Sequence, residues 1–232
     1  MEIEDSVAVI ASTHSQKDVL SLVAVTELAD LLDSVSAAAG EASMVVLTGT
    51  DGRFVPDVDR EELVRRSEGE VVSGDVLAWH RVTSALQSMV QPTVAAIDGN
   101  AAGGGCVLAL ACTFRICSDR SLFGPVEQNL GILGTDTPTS LVRLVGPATA
   151  AELLLTERQL EAATAKQVGL MNEVLPSEDF AAHARRWCQP IAALRPVTVF
   201  AVKQAVQVST SATRAEVLDL RSPDSSAQAG FK

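Results

Sequence analysis

At 232 residues, with 47% hydrophobic and 20% charged residues, the chain has the make-up of a globular protein long enough for one large domain or two. Its formal net charge of −11 opposes nonspecific association with DNA, RNA or an anionic membrane. No apolar stretch approaches the ~20 residues of a membrane span, and the acidic start Met1-Glu-Ile-Glu-Asp5 is unlike a secretory signal, so a cytoplasmic protein without nucleic-acid or membrane partners is expected.

In chain order, Val7–Ile10 reads as a short strand. Residues 18–32 carry Leu22, Val25, Leu28, Ala29 and Leu32 at helical spacing and predict an amphipathic helix. Met44–Leu47 is a second strand, closed by Thr48-Gly49. From Thr50 to Asp75 the chain turns rich in Asp, Glu, Arg and Gly, which predicts a surface loop with a short helix near Arg60–Arg66. Arg60, Arg65 and Arg66 are a candidate basic patch for a phosphorylated small molecule.

Residues 75–89 are helical again, with Val76, Trp79, Val82 and Leu86 on one face; Trp79 and His80 read as structural. Strand Val94–Ile97 leads into a glycine cluster and an apolar helix, followed by short strands at Phe114–Cys117 and Ser121–Phe123. From Pro138 onward the pattern predicts helices around Leu141 and at Thr149–Leu155, Ala162–Gln167, Phe180–Ala193 and Val197–Val208. Strands alternating with helices early and helices alone later point to an α/β core with a helical C-terminal region. The Ser- and Asp-rich tail after Arg221 reads as loosely held. Cys106, Cys112, Cys117 and Cys188 have neither C-x-x-C spacing nor a disulfide framework, and three of them sit in apolar runs as small buried hydrophobes. No His, Cys and Asp cluster has metal-ligand spacing.

The stretch Val94-Ala-Ala-Ile-Asp-Gly-Asn-Ala-Ala-Gly-Gly-Gly105, running into Cys106-Val-Leu-Ala-Leu-Ala-Cys112, carries the most chemistry. A strand, a turn of bare backbone and a helix start present amides that have no intrahelical acceptor, backed by the positive end of the helix dipole. The spacing is not G-x-G-x-x-G, and no Gly-Lys-Ser/Thr follows, which excludes a P-loop. What stays open is an oxyanion-stabilising turn or glycine serving only tight strand–helix packing.

The blocks around this stretch resemble the crotonase, or enoyl-CoA hydratase/isomerase, superfamily. In order they are Val45-Val-Leu-Thr-Gly49, Phe54-Val-Pro-Asp-Val-Asp59, Gln91-Pro-Thr-Val-Ala-Ala-Ile-Asp-Gly99, Gly103-Gly-Gly-Cys106, Phe123-Gly-Pro-Val-Glu127, Leu130-Gly131, Leu144-Val-Gly146, Ala151-Glu-Leu-Leu-Leu155 and Gly169-Leu-Met-Asn172, then Lys203 in a terminal helix.

The resemblance implies an α/β fold, a crotonase-like ββα spiral with a helical C-terminal trimerisation region. It divides the chain into a core with the acyl-CoA site over 1–190 and a helical region over 191–232 that looks incomplete at its end. It also implies a homotrimer or dimer of trimers, and no cofactor beyond the CoA of an acyl-CoA substrate. The thioester oxygen would take hydrogen bonds from the Val58 and Gly104 amides, with Glu127 as proton-handling carboxylate. Phe54, Val55, Asp59, Gly103, Gly105, Val107 and Gly131 would border the substrate.

Three positions depart from the family. Hydratases of this family carry a second glutamate directly after Gly-Gly-Gly-Cys, where this chain has Val107, and valine can neither orient nor deprotonate water. Isomerases can work with one glutamate at the position of Glu127, so isomerisation is favoured over hydration. Asp57 replaces a glycine of the first oxyanion loop, and Gly134-Thr-Asp-Thr-Pro138 replaces a glycine-rich turn. Asp57 and Asp136 are therefore further acid/base candidates, for a hydrolase or decarboxylase. A non-catalytic acyl-CoA-binding or scaffold protein of the same fold is the other alternative.

Overall fold

The computed structural model describes residues 1–12, 19–38, 40–50, 52–55, 57–58, 73–124, 136–156 and 158–209. The chain forms two compact units, Met1–Ala193 and Leu194–Lys232. The short helix expected near Arg60–Arg66, the three arginines named with it, and the tail after Arg221 lie outside the described residues.

The first unit is built on a six-stranded sheet. Its strands are β1 (Glu2–Glu4), β2 (Val7–Ser12), β4 (Met44–Gly49), β6 (Thr93–Ile97), β8 (Phe114–Ser118) and β11 (Glu173–Leu175), in that spatial order. All neighbours are parallel except β1 on β2. Parallel neighbours need crossovers, and here the crossovers are helices. A three-stranded sheet joins β10 (Leu160–Glu161), β9 (Leu122–Gly124) and β7 (Asn100–Ala102). The two-residue strands β3 (Val19–Leu20) and β5 (Asp57–Val58) pair in parallel, Val19 opposite Asp57 and Leu20 opposite Val58.

Alternation along the strands sorts side chains onto two faces. Ala8, Ile10, Val45, Leu47, Ala95, Ile97 and Cys117 join one large core with Val25, Ala29 and Leu32 of α1 (Leu22–Ala37) and Val82 and Leu86 of α2 (Ser73–Ser88). That core also takes in Cys106, Leu108 and Ala109 of α3 (Gly104–Ala111) and Leu141, Ala150 and Leu153 of α4 (Asp136–Thr156). Val7, Met44, Val46, Val94, Ala96 and Ile116 face the other way, onto Phe180, Ala184 and Cys188 of α6 (Phe180–Ala192). The short helix α5 (Ala162–Gln167) sits between β10 and β11 in sequence. In the second unit, α7 spans Pro196–Ser209.

The expected elements recur with shifted ends: α1 runs to Ala37 instead of stopping at Leu32. Two readings are corrected. The C-terminal half is not helix alone, because β10 and β11 fall within it, and β11 closes the main sheet beside β8. The helices expected around Leu141 and at Thr149–Leu155 are one element, kinked at Gly146 (φ 77°, ψ 165°) ahead of Pro147. Proline cannot donate within the ladder, and the positive φ at the residue before it suits glycine. All four cysteines are free and buried, and burial pushes the Cys117 thiol up to about 12 and Cys188 to about 11. Among the described residues, no helix is long and apolar enough to cross a membrane.

Candidate active site

The glycine cluster folds as its order demands. β6 ends at Ile97, a turn at Asp98-Gly99 leads into β7, and Gly103 (φ 50°, ψ −121°) stands at the N-cap of α3. A side chain is strained at that φ, and Gly103 supplies no side-chain cap. The intrahelical ladder begins with the Val107 N–H donating to the Gly103 carbonyl at 3.1 Å. The amides of Gly104 and Gly105 therefore have no acceptor within their own helix.

The turn before the helix is fixed by polar contacts. Ser121 Oγ accepts from the Gly99 N–H at 3.2 Å and donates to the Ile97 carbonyl at 2.9 Å, with Ser118 Oγ 2.8 Å away. Arg120 grips Asp98 through two hydrogen bonds, 2.9 and 2.7 Å. A Cβ on Gly99 (φ +97°) would meet the Gly52 carbonyl oxygen at 2.0 Å, and one on Gly105 would stand 3.3 Å from the Val55 carbonyl oxygen. Residues 52–55 are thus packed backbone to backbone against the glycine cluster. Phe54 is fully buried in the large core, and Val55 packs against its edge.

That packing sets β5 beside the helix: Cα atoms of Asp57–Val58 and of α3 come within 8 Å of one another. Segments carrying Val58 and Gly104, far apart in sequence, are neighbours. The far end of α3 is held by a buried cation. Arg115, 5% exposed, donates from Nε to the Leu170 carbonyl at 2.9 Å and from Nη1 to Cys112 and Ala109 carbonyls at 2.8 and 3.2 Å. A guanidinium at a helix C-terminus complements the dipole that makes the opposite end positive. Burial lowers its pKa, and the three carbonyls oppose that effect by hydrogen bonding to the charged form.

One turn along α3 from Gly104, Val107 is buried beside a small cleft. Leu110 and Ala111 continue its apolar wall; Thr83 and Gln87 of α2 and Thr137 and Ser140 of α4 supply a neutral polar wall. Thr83 Oγ1 is engaged with carbonyls of its own helix, Trp79 at 3.1 Å and His80 at 3.2 Å. Thr137, 8% exposed, has a buried hydroxyl without a hydrogen-bond partner among the described residues.

Of the expected site residues, Phe54 and Val55 pack at Gly105 beside Gly103, Gly104 and Val107 in the first turn of α3, and the backbone of Asp57 and Val58 runs near the same helix. Asp136 opens α4, directly before Thr137. Glu127, Asp59 and Gly131 lie outside the described residues; β9 ends at Gly124, three positions before Glu127. Reasoning from the sequence missed Thr83, Gln87, Thr137 and Ser140. The available signal was polar pairs at i, i+4 and i, i+3, each recurring on one helix face. Among the described residues, no group of three or more metal-binding side chains is present.

Residues 2–226 match a family described as enoyl-CoA hydratase/isomerase. A probable mitochondrial enoyl-CoA hydratase of Dictyostelium discoideum is 32% identical over 178 residues, 76% of this chain and 63% of that protein. A probable enoyl-CoA hydratase of Mycobacterium bovis is 32% identical over 176 residues, 75% of this chain and 67% of that protein. The chain thus spans about two thirds of the length of these relatives. Among solved structures, an enoyl-CoA hydratase from Bacillus anthracis superposes with a TM-score of 0.81 at 30% identity, covering 91% of this chain and 83% of the other.

Proposed function

The chain belongs to the enoyl-CoA hydratase/isomerase family, and from that premise we propose that it is an enoyl-CoA isomerase, working through a thioester enolate with a single carboxylate. The Val58 and Gly104 amides donate to the thioester oxygen. Withdrawal of an α-proton from a 3-enoyl-CoA moves charge onto that oxygen, where each preorganised donor lowers the barrier by roughly 3 kcal/mol. Glu127 takes the α-proton and returns it at the γ-carbon, which moves the double bond to the 2-position without water or a second carboxylate. The acyl-CoA site belongs to the 1–190 region, residues 191–232 serve trimer formation, and no cofactor beyond the substrate's CoA is used.

The observation that carries this reading is Val107. It is buried on the turn after the helix start, in a wall shared with Leu110 and Ala111. The neighbouring Thr83, Gln87, Thr137 and Ser140 are all neutral, so none of the residues lining the cleft beside it is a carboxylate. Hydration needs one group to activate water and another to protonate carbon. Isomerisation of 3-enoyl-CoA, measured beside hydration of 2-enoyl-CoA on the same preparation, tests the proposal. Turnover of the first well above the second is expected; efficient hydration would contradict it.

Asp136 favours a second reading. It immediately precedes Thr137 of the cleft wall, so a hydrolase or decarboxylase could use it as the acid/base group. Asp136→Asn then abolishes thioester or carboxylate loss while binding persists; under the isomerase reading it leaves double-bond migration intact.

A further inference from the structure

We infer that Arg120 is a positioning residue for the thioester oxygen: its guanidinium pins together the two backbone segments whose amides are proposed to bind that oxygen. This rests on the enolate reading above and adds to it a side chain that acts through the backbone.

Arg120 belongs to the turn between β8 and β9, and that turn is itself anchored. The Asp119 N–H donates to the Leu175 carbonyl at 2.9 Å, the Ser121 N–H to the Ser118 carbonyl at 3.1 Å, and Asp119 Oδ1 accepts from the Ser177 N–H at 3.2 Å. Ser118 and Ser121 are buried, and Ser121 Oγ ties the turn to Ile97 and Gly99. From this fixed base the Arg120 side chain reaches both segments. Its Nε and Nη2 donate to the two carboxylate oxygens of Asp98, at 2.9 and 2.7 Å, which orients the entry to the glycine cluster. The same guanidinium lies against Gly52, where a Cβ would stand 2.9 Å from Nη2 and 3.5 Å from Cζ. One planar group thus meets the segment that leads to Val58 and the turn that leads to Gly104.

Energetics then separate orientation from stability. The Arg120 side chain is 54% exposed and that of Asp98 23%, and ion pairs so open to solvent contribute little to folding. A two-pronged guanidinium–carboxylate contact nevertheless fixes geometry. Donors act on developing charge only when held where the oxygen will be, and small misplacements cost rate steeply. Orientation of the two amides is therefore what Arg120 supplies. A lysine would bring its charge to Asp98, but neither the fork nor the flat face against Gly52.

The test binds hexanoyl-CoA, labelled with carbon-13 at the thioester carbonyl, to the full chain and to Arg120→Ala. Melting curves and 3-hexenoyl-CoA isomerisation are measured on the same preparations. Hydrogen bonds to the oxygen polarise the carbonyl, so its resonance moves downfield on binding. Arg120→Ala is expected to show a smaller downfield move, a kcat about tenfold lower, a KM within about twofold and a melting temperature within a few degrees of the parent. Arg120→Lys is expected to fall between the two. Asp98→Ala is expected to lose as much as Arg120→Ala, and the double variant no more than either. An Arg120→Ala protein with the parent's carbonyl shift and kcat overturns the inference, as does one whose loss of rate follows a lowered melting temperature. Should Arg120→Ala fail to fold, Arg120→Lys decides, and a carbonyl shift equal to the parent's overturns the inference. A parent whose carbonyl does not move on binding removes the oxyanion reading itself, a different result from equal movement in parent and variant. Movement without isomerisation removes the isomerase reading alone, and the shift still decides on Arg120.

Discussion

Gly105 lies flush against Val55: a Cβ on the glycine would stand 3.3 Å from the Val55 carbonyl oxygen and 3.6 Å from the Val55 Cβ. The contact joins the loop that leads to Val58 with the helix that starts at Gly104. Two amides can serve one oxygen only if their segments are held together this closely.

Gly105→Ala therefore separates function from stability. At 3.3 Å the added methyl makes the loop give by a few tenths of an ångström, while alanine is the better helix former by about 1 kcal/mol. The variant is expected to melt within a few degrees of the parent and to lose ten- to a hundredfold in kcat, on the order of one misplaced donor. Melting curves and steady-state rates on the same preparation check this.

Gly99→Ala is a harsher change. A Cβ there would meet the Gly52 carbonyl oxygen at 2.0 Å, and φ is +97°. Both backbone strain and a clash with main chain oppose it, so a loss of about 3 kcal/mol or more is expected. Denaturant midpoints measure it.

Arg115 is a buried cation bonded to three backbone carbonyls. Arg115→Met removes the charge and orphans carbonyls at the end of α3, with an expected loss of about 3 kcal/mol. Arg115→Lys recovers only part, since an ammonium cannot span the same fork of acceptors. Chemical denaturation of the three forms tests the order Arg, Lys, Met.

Glu173 is held below its ordinary value of 4.5 first by a hydrogen bond from Lys166 and then by the Val174 N–H. A depressed carboxylate adds stability that is complete above the unfolded value and is lost as pH falls through the lower folded one. The pair is solvent-exposed, so its worth is under about 1 kcal/mol. Glu173→Gln is expected to melt slightly lower than the parent at pH 7, with the gap closing below pH 4.5. A gap that widens in acid would contradict the assignment.

Much of this arrangement was legible in the sequence for physical reasons. The apolar run Val94–Ile97 before the glycines and the seven apolar residues Cys106–Cys112 after them read as strand, turn and helix, and Val107 stands where the family resemblance leads one to expect a glutamate. The shortest strands were not legible: Glu173–Leu175 is half-buried throughout and has too few residues to show alternation. The Gly146-Pro147 pair reads as a helix end, yet the helix resumes after one kinked residue. Arg115, inside a strand, looks like a surface charge, because nothing local shows the carbonyls of Ala109, Cys112 and Leu170 converging on it. The cleft was invisible for the same reason, since its walls come from three helices that meet only in the folded chain.

The central claim, one carboxylate moving one proton beside a thioester oxygen, is tested most directly by exchange of the α-hydrogens of a bound acyl-CoA in deuterated buffer, followed by NMR for the parent and for Glu127→Gln. The account predicts exchange in the parent and its loss by at least a hundredfold in the variant, with acyl-CoA affinity retained. Equal exchange in the two proteins would contradict it.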